Sequence, residues 1–269
     1  MHLRSDHLQT SDHATASAAP LRNILLLTAT VQPPADARSL ARSDPRLRLA
    51  DYRSAFEFYL TELENGAVDG LVLCDNSGYD LTSFAALASQ RGLQNRVECI
   101  SFLGLDHPGR YGRGYGEFKL VDHAMSRSSQ IANAGRRVAI WKVTGRYQVR
   151  NIGALIRSRP AHADLYCHAH NWPRRYVDLY LMGWSRDGHE QILRGVHERL
   201  RQDHTPRSAE RRFREVIDSH PERARIVQRF RHVPQVDGVR AGDNRAFRDL
   251  RARYLLRVFA MRWLPGVWV

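Results

Sequence analysis

The sequence predicts an α/β protein with an open, mostly parallel sheet and helices on both faces. Short, continuous apolar runs alternate with amphipathic segments through about residue 200. Continuous apolar runs are typical of strands buried on both faces, which is the environment of a parallel sheet. The segments between them have the spacing of the helices that connect parallel strands. This alternation predicts the architecture before any motif is considered.

The elements follow one another along the chain in a regular order. The predicted strands lie at 21–30, 68–74, 97–103, 138–147, 163–168 and 177–183. The predicted helices lie at 49–60, 81–90, 117–132 and 152–157, and a further helix begins at Arg186. In the first helix Tyr52, Phe56 and Tyr59 share one face. We expect a disordered tail over 1–20, the site-bearing domain over 21–197 and a basic helical extension over 198–269.

Length and composition exclude several protein classes. The chain has 269 residues and is 43% hydrophobic, which is enough for a large core. No apolar run approaches the roughly 20 residues that span a bilayer, and the first twenty residues lack the apolar centre of a signal peptide. Three cysteines, an odd number, suit a reducing compartment, and their spacing fits no zinc site. We predict a cytoplasmic protein that can bind peripherally to the inner face of the plasma membrane.

The formal net charge of +13 predicts an anionic partner, which can be nucleic acid, anionic lipid or a phosphorylated substrate. No nucleic-acid-binding motif is present, so we do not expect nucleic acid. A GC-rich coding sequence, which favours arginine codons, would explain the charge at least as well, without any anionic partner. The tail Tyr254–Val269 mixes aromatic and aliphatic residues with Arg257 and Arg262, which suits an anionic membrane surface. Packing of this tail back onto the domain is the equal alternative.

Three segments carry polar groups where strands are predicted to end. The apolar run that begins at Val138 ends in Lys142, Thr144, Arg146 and Tyr147. Side chains alternate along a strand, so Lys142, Thr144 and Arg146 are predicted to point to one side. Two cations and a hydroxyl can grip a phosphate or carboxylate. Open α/β sheets bind ligands at this carboxyl edge.

The other two segments follow the second and third predicted strands. Asp75 and Asn76 open a turn that continues to Asp80, where a carboxylate can accept a hydrogen bond from a base or a ribose hydroxyl. An ordinary turn that caps the next helix is the alternative. The loop Tyr111–Glu117 opens a helix, and its glycines, Arg113 and the helix amino end favour a diphosphate. It matches neither a Walker loop nor a dinucleotide fingerprint.

These segments carry a resemblance to a known family. The turn Asp75–Asp80 resembles the Asp-Asp-Gly-Ser-x-Asp turn of GT-A-fold glycosyltransferases, whose first acidic group contacts the nucleotide base. With Tyr111–Glu117 and Lys142–Asn151, the chain resembles bacterial glycosyltransferases of capsule and lipopolysaccharide assembly over about residues 22–195. The resemblance implies a GT-A-like, Rossmann-related fold and a nucleotide-sugar donor. The implied donor-binding residues are Thr28, Thr30, Asp75, Asn76, Arg113, Tyr115, Lys142, Thr144, Arg146 and Tyr147.

One departure from the family concerns metal. GT-A enzymes usually hold a divalent metal with an Asp-x-Asp motif, and no Asp-x-Asp occurs in this chain. Lys142 and Arg146 stand roughly where that motif would be expected, so protein cations could neutralise the diphosphate directly. We therefore assign no metal site and no certain cofactor; a divalent metal is possible but is not indicated. Asp75 or Asp164 could still act as a lone metal ligand.

The acceptor is expected near the later strands. His170 and Trp172 follow the strand at 163–168, and Trp184 follows the next one; these three are the predicted acceptor contacts. His168 and His170 could share a face and bind metal, but no third ligand is evident nearby. Asp187 and Glu190 are the predicted catalytic carboxylates, although a role in capping and beginning the helix at Arg186 explains them better.

The leading hypothesis is a glycosyltransferase that moves a sugar from a nucleotide-sugar donor to a lipid-linked or growing bacterial surface glycan. A basic nucleic-acid-binding protein, supported by charge alone, is the alternative from another class. Another nucleotide-dependent enzyme, such as a nucleotidyltransferase, could share the same strand-end groups.

Overall fold

The protein, described here from a computed structural model, contains a mixed seven-stranded sheet. The structure describes residues 20–35, 40–203, 207–240, 242–247, 251–264 and 266–268, with the backbone alone at 251–253. The predicted tail at 1–20 lies outside the described residues except for Pro20. The strands are β1 (Arg22–Ala29), β2 (Gly70–Asp75), β3 (Val97–Ser101), β4 (Val138–Thr144), β5 (Gln148–Val149), β6 (Leu165–His170), β7 (Tyr176–Ser185), β8 (Ile226–Val227) and β9 (Val236–Asp237).

Helices connect most of these strands. They are α1 (Pro45–Glu64), α2 (Thr82–Gln90), α3 (Arg113–Arg127), α4 (Ser129–Asn133), α5 (Ile152–Arg157), α6 (Arg186–Gly188), α7 (Val196–Arg199), α8 (Ala209–Asp218) and α9 (Arg251–Trp263). Short 3₁₀ turns at Gly109–Tyr111 and Arg223–Arg225 and a π-helical turn at His189–Leu193 complete the set. No helix in the described part of the chain is long and apolar enough to cross a membrane.

The strand order is β3-β2-β1-β4-β7-β6-β8, with β5 and β9 paired separately. Strands β3, β2, β1 and β4 are mutually parallel, and β7 alone runs antiparallel to both of its neighbours. The prediction of an α/β protein with a mostly parallel sheet and helices on both faces is therefore confirmed. The chain moves outward from β1 to β3 and then returns to place β4 on the other side of β1. In sheets of this type, ligands bind where the order reverses, beyond the carboxyl ends of the strands.

Two hydrophobic cores cover the two faces of the sheet. Alternate β1 side chains supply both: Leu25 and Leu27 face one core, and Ile24 and Leu26 face the other. Helices α1 and α2 cover the first face, whereas α3 and α8 cover the second. This double coverage explains why the strands are continuous apolar runs in the sequence.

Helix α3 begins earlier than the sequence predicts. Gly112 has a φ of 85° and a ψ of 164°, a conformation that favours glycine, and the helix starts at the next residue. Gly114, Tyr115 and Gly116 therefore lie in its first turn rather than in a loop. A Cβ atom on Gly114 would lie 2.3 Å from the Ala209 Cβ, so the glycine permits close packing of α3 on α8.

The segment predicted as a basic extension contributes to the main sheet. Strand β8 pairs with β6, β9 pairs with β5, and α8 packs against β7 in the second core. The predicted boundary between 197 and 198 thus separates elements that pack together in the structure.

Candidate functional site

The reversal of strand order brings several predicted site residues to one edge of the sheet. Thr28, at the end of β1, pairs in register with Thr144, at the end of β4. Ala29 pairs on its other side with Asp75, the last residue of β2. The hydroxyl of Thr30 donates to Asn76 Oδ1 at 2.6 Å. The predicted donor-binding residues of the first, second and fourth strands therefore meet at the reversal point.

Glu117 lies at the centre of this edge, and sequence reasoning did not assign it a role. It projects from α3, and its Oε1 accepts hydrogen bonds from Thr28 Oγ1 at 2.8 Å and Thr144 Oγ1 at 2.9 Å. Lys142 Nζ lies 2.5 Å from the same oxygen. Glu117 is the last residue of the segment Tyr111–Glu117, near the start of the helix that connects β3 to β4. That position was the available indication in the sequence of its role.

The second oxygen of Glu117 is available. Oε2 has no hydrogen-bond partner among the described residues, and it is not enclosed by protein. The Glu117 side chain keeps 23% of its surface exposed, whereas that of Lys142 is fully buried. One carboxylate oxygen is thus fixed by three protein groups, and the other has no protein partner among the described residues and stays partly accessible. Such a group can accept a hydrogen bond from a ligand hydroxyl without moving.

The pKa of Glu117 supports an ionised carboxylate. Burial alone would raise this pKa, but the Lys142 charge and the hydrogen bonds from Lys142, Thr28 and Thr144 hold it below its ordinary value. Burial lowers the pKa of Lys142, and the Glu117 charge opposes that change. The carboxylate is therefore an acceptor, not a donor, at neutral pH.

Lys142 and Arg146 do not share a side as the sequence predicted. Lys142 Nζ bonds to Glu117 and to the carbonyl oxygen of Leu179, so it is enclosed and cannot reach a diphosphate directly. Strand β4 ends at Thr144, and the amide of Gly145 donates to Thr28 O at 2.9 Å. Alternation stops where the strand ends, which places Arg146 towards α1 instead.

Arg146 belongs to a cluster of cations at the same edge of the sheet as Glu117. Its Nη1 donates to Val239 O at 2.9 Å and lies 3.9 Å from Asp51 Oδ2. Its Nε is buried and has no hydrogen-bond partner among the described residues. Arg48, which sequence reasoning missed, donates from Nε to Thr30 O at 2.8 Å and is 5% exposed. The one feature of the sequence that could have indicated Arg48 is that it is a cation on the apolar face of the first helix.

We call Arg42, Arg48, Arg113 and Arg146 the arginine cluster. Burial lowers the pKa of Arg48, and the charges of Arg146 and Arg113 lower it further. Asp51 is the direct ion-pair partner of the cluster in the described part of the chain, and Arg42 already binds it through two nitrogens, at 2.9 and 2.8 Å. Only two of the four guanidinium groups, those of Arg42 and Arg146, form an ion pair with Asp51, so the edge carries a positive charge that can bind an anion.

Asp75 and Asn76 have a structural part in this edge. Asp75 is fully buried and accepts from the amides of Val31, Ser77 and Tyr79. It therefore joins the loops that follow β1 and β2. Asn76 Nδ2 donates to Gly116 O at 3.3 Å, which fixes the first turn of α3. Contact between Asp75 and a base stays a prediction, and the carboxylate has no exposed surface for it in this structure.

Two predicted donor aromatics and one cation occupy the rim of the edge. Tyr115 is 7% exposed, donates to Glu198 Oε1 at 3.1 Å and packs against His107 and His197. Tyr147 is also 7% exposed and packs against Phe247. Arg113 is exposed at the amino end of α3. Of these groups, Arg113 has the most surface for a ligand.

The predicted acceptor residues are divided by burial. Trp184 is fully buried in the second core, because it pairs with Ile140 on the central strand β4, so it has no free face for a sugar. His170 is 1% exposed and its Nε2 lies 2.9 Å from Asp178 Oδ2. Trp172 is 62% exposed. Only Trp172 has the surface that stacking requires.

His170 belongs to a group that could hold a metal by residue type. The ligand atoms of His168, His170 and Asp178 lie within 4.8 Å of one another, and Asp178 is the third ligand that the sequence did not reveal. Arg257 of α9 is close to the same carboxylate, and the Asp178 charge helps to raise the pKa of this arginine although burial opposes it. The cation already balances Asp178, which disfavours a second cation there.

The predicted catalytic carboxylates lie at the opposite edge of the sheet. Strand β7 is antiparallel, and Ser185 at its end pairs with Ala139 at the start of β4. Asp187 and Glu190 follow Ser185, so about five strand residues, or roughly 17 Å, separate them from Thr144. Asp187 lies 3.9 Å from Arg136, and Glu190 lies 3.5 Å from Arg194. The structure does not bring either carboxylate to the reversal point.

No protein-family model matches the chain, and no curated protein matches it.

Proposed function

We propose that this protein is a glycosyltransferase that moves a sugar from a nucleotide-sugar donor to a lipid-linked or growing bacterial surface glycan. One observation carries the proposal: a positively charged arginine cluster and a fixed carboxylate with one unpartnered oxygen lie at the same edge of the sheet, where the strand order reverses. A diphosphate needs the first feature, and a sugar hydroxyl needs the second. A nucleotide-sugar contains both groups in one molecule.

The arrangement suggests a role for each group. Arg113 is the exposed cation for the diphosphate, and Arg146, whose buried Nε has no hydrogen-bond partner among the described residues, adds positive charge behind it. Arg48 adds charge while it holds the loop after β1. Glu117 Oε2 accepts a hydrogen bond from a substrate hydroxyl. Lys142 acts through Glu117, because it fixes the carboxylate and keeps it ionised.

The sheet supports a Rossmann-related, GT-A-like arrangement as part of the same proposal. Its order reverses at β1, and the candidate groups lie beyond the carboxyl ends of β1, β2 and β4. The chain has no Asp-x-Asp, so we assign the charge of the leaving diphosphate to the arginine cluster. Trp172 remains the proposed acceptor contact, since the carboxyl end of β6 lies at the same edge of the sheet.

Thermal unfolding in the presence of UDP, GDP, CDP and CMP, with and without manganese, tests donor binding. We expect at least one of these nucleotides to raise the melting temperature, because a ligand of the folded state stabilises it. Arg146→Gln should remove this shift relative to its own unliganded baseline. Arg150→Gln is the matched control, because Arg150 is 57% exposed and paired with Asp237 outside the cluster.

A nucleotide-release assay with a panel of sugar donors and mixed glycan acceptors then tests transfer. Loss of release in Arg146→Gln and its retention in Arg150→Gln would support the site. If no nucleotide shifts the melting temperature but duplex DNA does, with a steep dependence on salt, the protein is a nucleic-acid-binding protein and the proposal is wrong.

A further inference from the structure

The C-terminal helix exposes an apolar stripe. Most large apolar side chains of α9 are exposed to solvent. The exposed fraction is 66% for Leu255, 54% for Phe259 and 64% for Trp263. These three residues are spaced four apart, so they lie on one face of the helix. Others on or beside this face are Leu256, Val258 and Leu264. Folded chains rarely expose so many large apolar side chains together without a partner.

The opposite side of α9 fixes the helix to the domain. Ala260 is 2% exposed, and Arg257 lies near Asp178 and Tyr180 of β7. Beyond the helix, Asn171 bonds to Gly266 O at 2.9 Å and to the backbone of Trp268 at 3.0 and 2.8 Å. The stripe is therefore held outward by contacts on the other face.

A second element extends the stripe. Trp172 directly follows Asn171, so the bonds to Asn171 place it beside the chain that leaves α9, and it is 62% exposed. We call Trp172 and the exposed apolar residues of α9 the C-terminal apolar surface. Two tryptophans, Trp172 and Trp263, belong to it, and tryptophan is the side chain that prefers the boundary between lipid and water.

The charge around this surface has one sign. Residues 171–177 contain two arginines and residues 251–268 contain four, and neither segment contains Asp or Glu. Arg174 and Arg262 are exposed and have no ion-pair partner among the described residues. Free cations beside exposed aromatic and aliphatic groups match a surface that is apolar inside and anionic outside.

A second copy of the chain fits this surface less well. A two-fold dimer would bring the same patch against itself, so Arg174 and Arg262 would face cations, and neither of the two segments supplies an acidic residue to pair with them. An anionic bilayer instead pairs lipid headgroups with these arginines and accepts the apolar side chains. The combination favours lipid over a second copy.

We infer that the C-terminal apolar surface docks this protein onto an anionic lipid bilayer. Phe259, Trp263 and Trp172 enter the interface between headgroups and acyl chains, and Arg174 and Arg262 bind lipid phosphates. This inference does not depend on the arginine cluster or on Glu117. Trp172 alone is shared with the proposed reaction, as the proposed acceptor contact, so the Phe259 and Trp263 variants test the inference separately from that reaction.

Flotation of the full chain with lipid vesicles tests the inference. Vesicles of phosphatidylcholine alone are compared with vesicles that also contain phosphatidylglycerol. We expect binding to the anionic vesicles that weakens as salt is added. Phe259→Gln with Trp263→Gln should lower the partition coefficient at least about tenfold. Arg262→Gln should lower it about fivefold, as expected for one arginine at an anionic surface.

Two control variants make the same kinds of substitution at exposed positions outside the C-terminal apolar surface. Leu103→Gln removes an apolar side chain that is 85% exposed after β3, at the far edge of the sheet from β6. Arg136→Gln removes an exposed arginine before β4. Both should bind anionic vesicles like the wild type. Trp172→Gln, in a loop, gives a second test that does not depend on the folding of α9.

Several outcomes would overturn the inference. The wild type could stay unbound with phosphatidylglycerol vesicles, or the Phe259/Trp263 and Trp172 variants could bind like the wild type. A dimer in light scattering that Phe259→Gln dissociates, without vesicle binding, would assign the surface to a second copy.

Discussion

Two buried charge clusters lie at the same edge of the sheet, and they differ in one respect. At the reversal point, Glu117 is fixed by Lys142 and two threonines and keeps one oxygen without a protein partner among the described residues. On β6 and β7, the two strands beyond β4, His170 and Asp178 form a comparable pair, and Arg257 of α9 is close to Asp178. The first cluster is open and the second is closed. Buried charge alone therefore does not identify a site; a fixed polar group with a free atom does.

The largest effect that distinguishes the two clusters is expected at Glu117. We expect Glu117→Gln to destabilise the protein by about 3–5 kcal/mol, because it leaves the buried Lys142 without its counter-charge. Urea unfolding measures this loss. Adding Lys142→Met removes the unpaired charge and should restore most of the stability.

The double variant separates stability from function. It should keep the nucleotide-induced rise in melting temperature, because the arginine cluster is intact, but it should lose sugar transfer with Glu117 Oε2. Full transfer activity in a stable double variant would remove Glu117 from the proposed site.

The closed cluster should respond differently. Asp178→Asn removes the charge that His170 and Arg257 face, and we expect a loss of about 2 kcal/mol in the free energy of unfolding. Nucleotide-induced stabilisation should remain as in the wild type. A variant that lost nucleotide binding while keeping its stability would show that this cluster, too, belongs to the ligand site.

The fold class was predictable because the strands are apolar on both faces, and Ile24–Leu27 show this in four consecutive residues. The carboxyl edge was predictable for the same reason, since Thr28, Asp75 and Thr144 each end such a run. The direction of β7 was not predictable, because an apolar run does not reveal its pairing partner. That direction places Asp187 and Glu190 at the edge of the sheet opposite to Thr144.

Glu117 and Arg48 were missed for a different reason. Each is a single charged residue on a helix. Whether it belongs to the site depends on which strand ends the helix packs against. Glu117 matters because α3 passes over both Thr28 and Thr144, which are more than a hundred residues apart in sequence. Such a long-range contact leaves no local pattern.

The smallest expected effect concerns Asp122, a carboxylate on the same helix as Glu117, and it depends on pH. Burial would raise the pKa of Asp122, but hydrogen bonds from His189, His197 and the Gly195 amide lower it to about 2, from an ordinary value of 3.8. A carboxyl group whose pKa falls on folding stabilises the protein above its unfolded pKa. We expect about 2 kcal/mol at neutral pH, lost progressively between about pH 4 and pH 2.

Asp122→Asn should therefore be less stable than the wild type at pH 6, and about half of the difference should be gone by pH 3, as measured by urea unfolding at both values. Nucleotide binding should not change, because both oxygens of Asp122 are bonded to protein. A difference that did not shrink with acid would mean that packing, not ionisation, makes Asp122 stabilising. Within one helix, the closed carboxylate would then serve the fold and the open one the ligand.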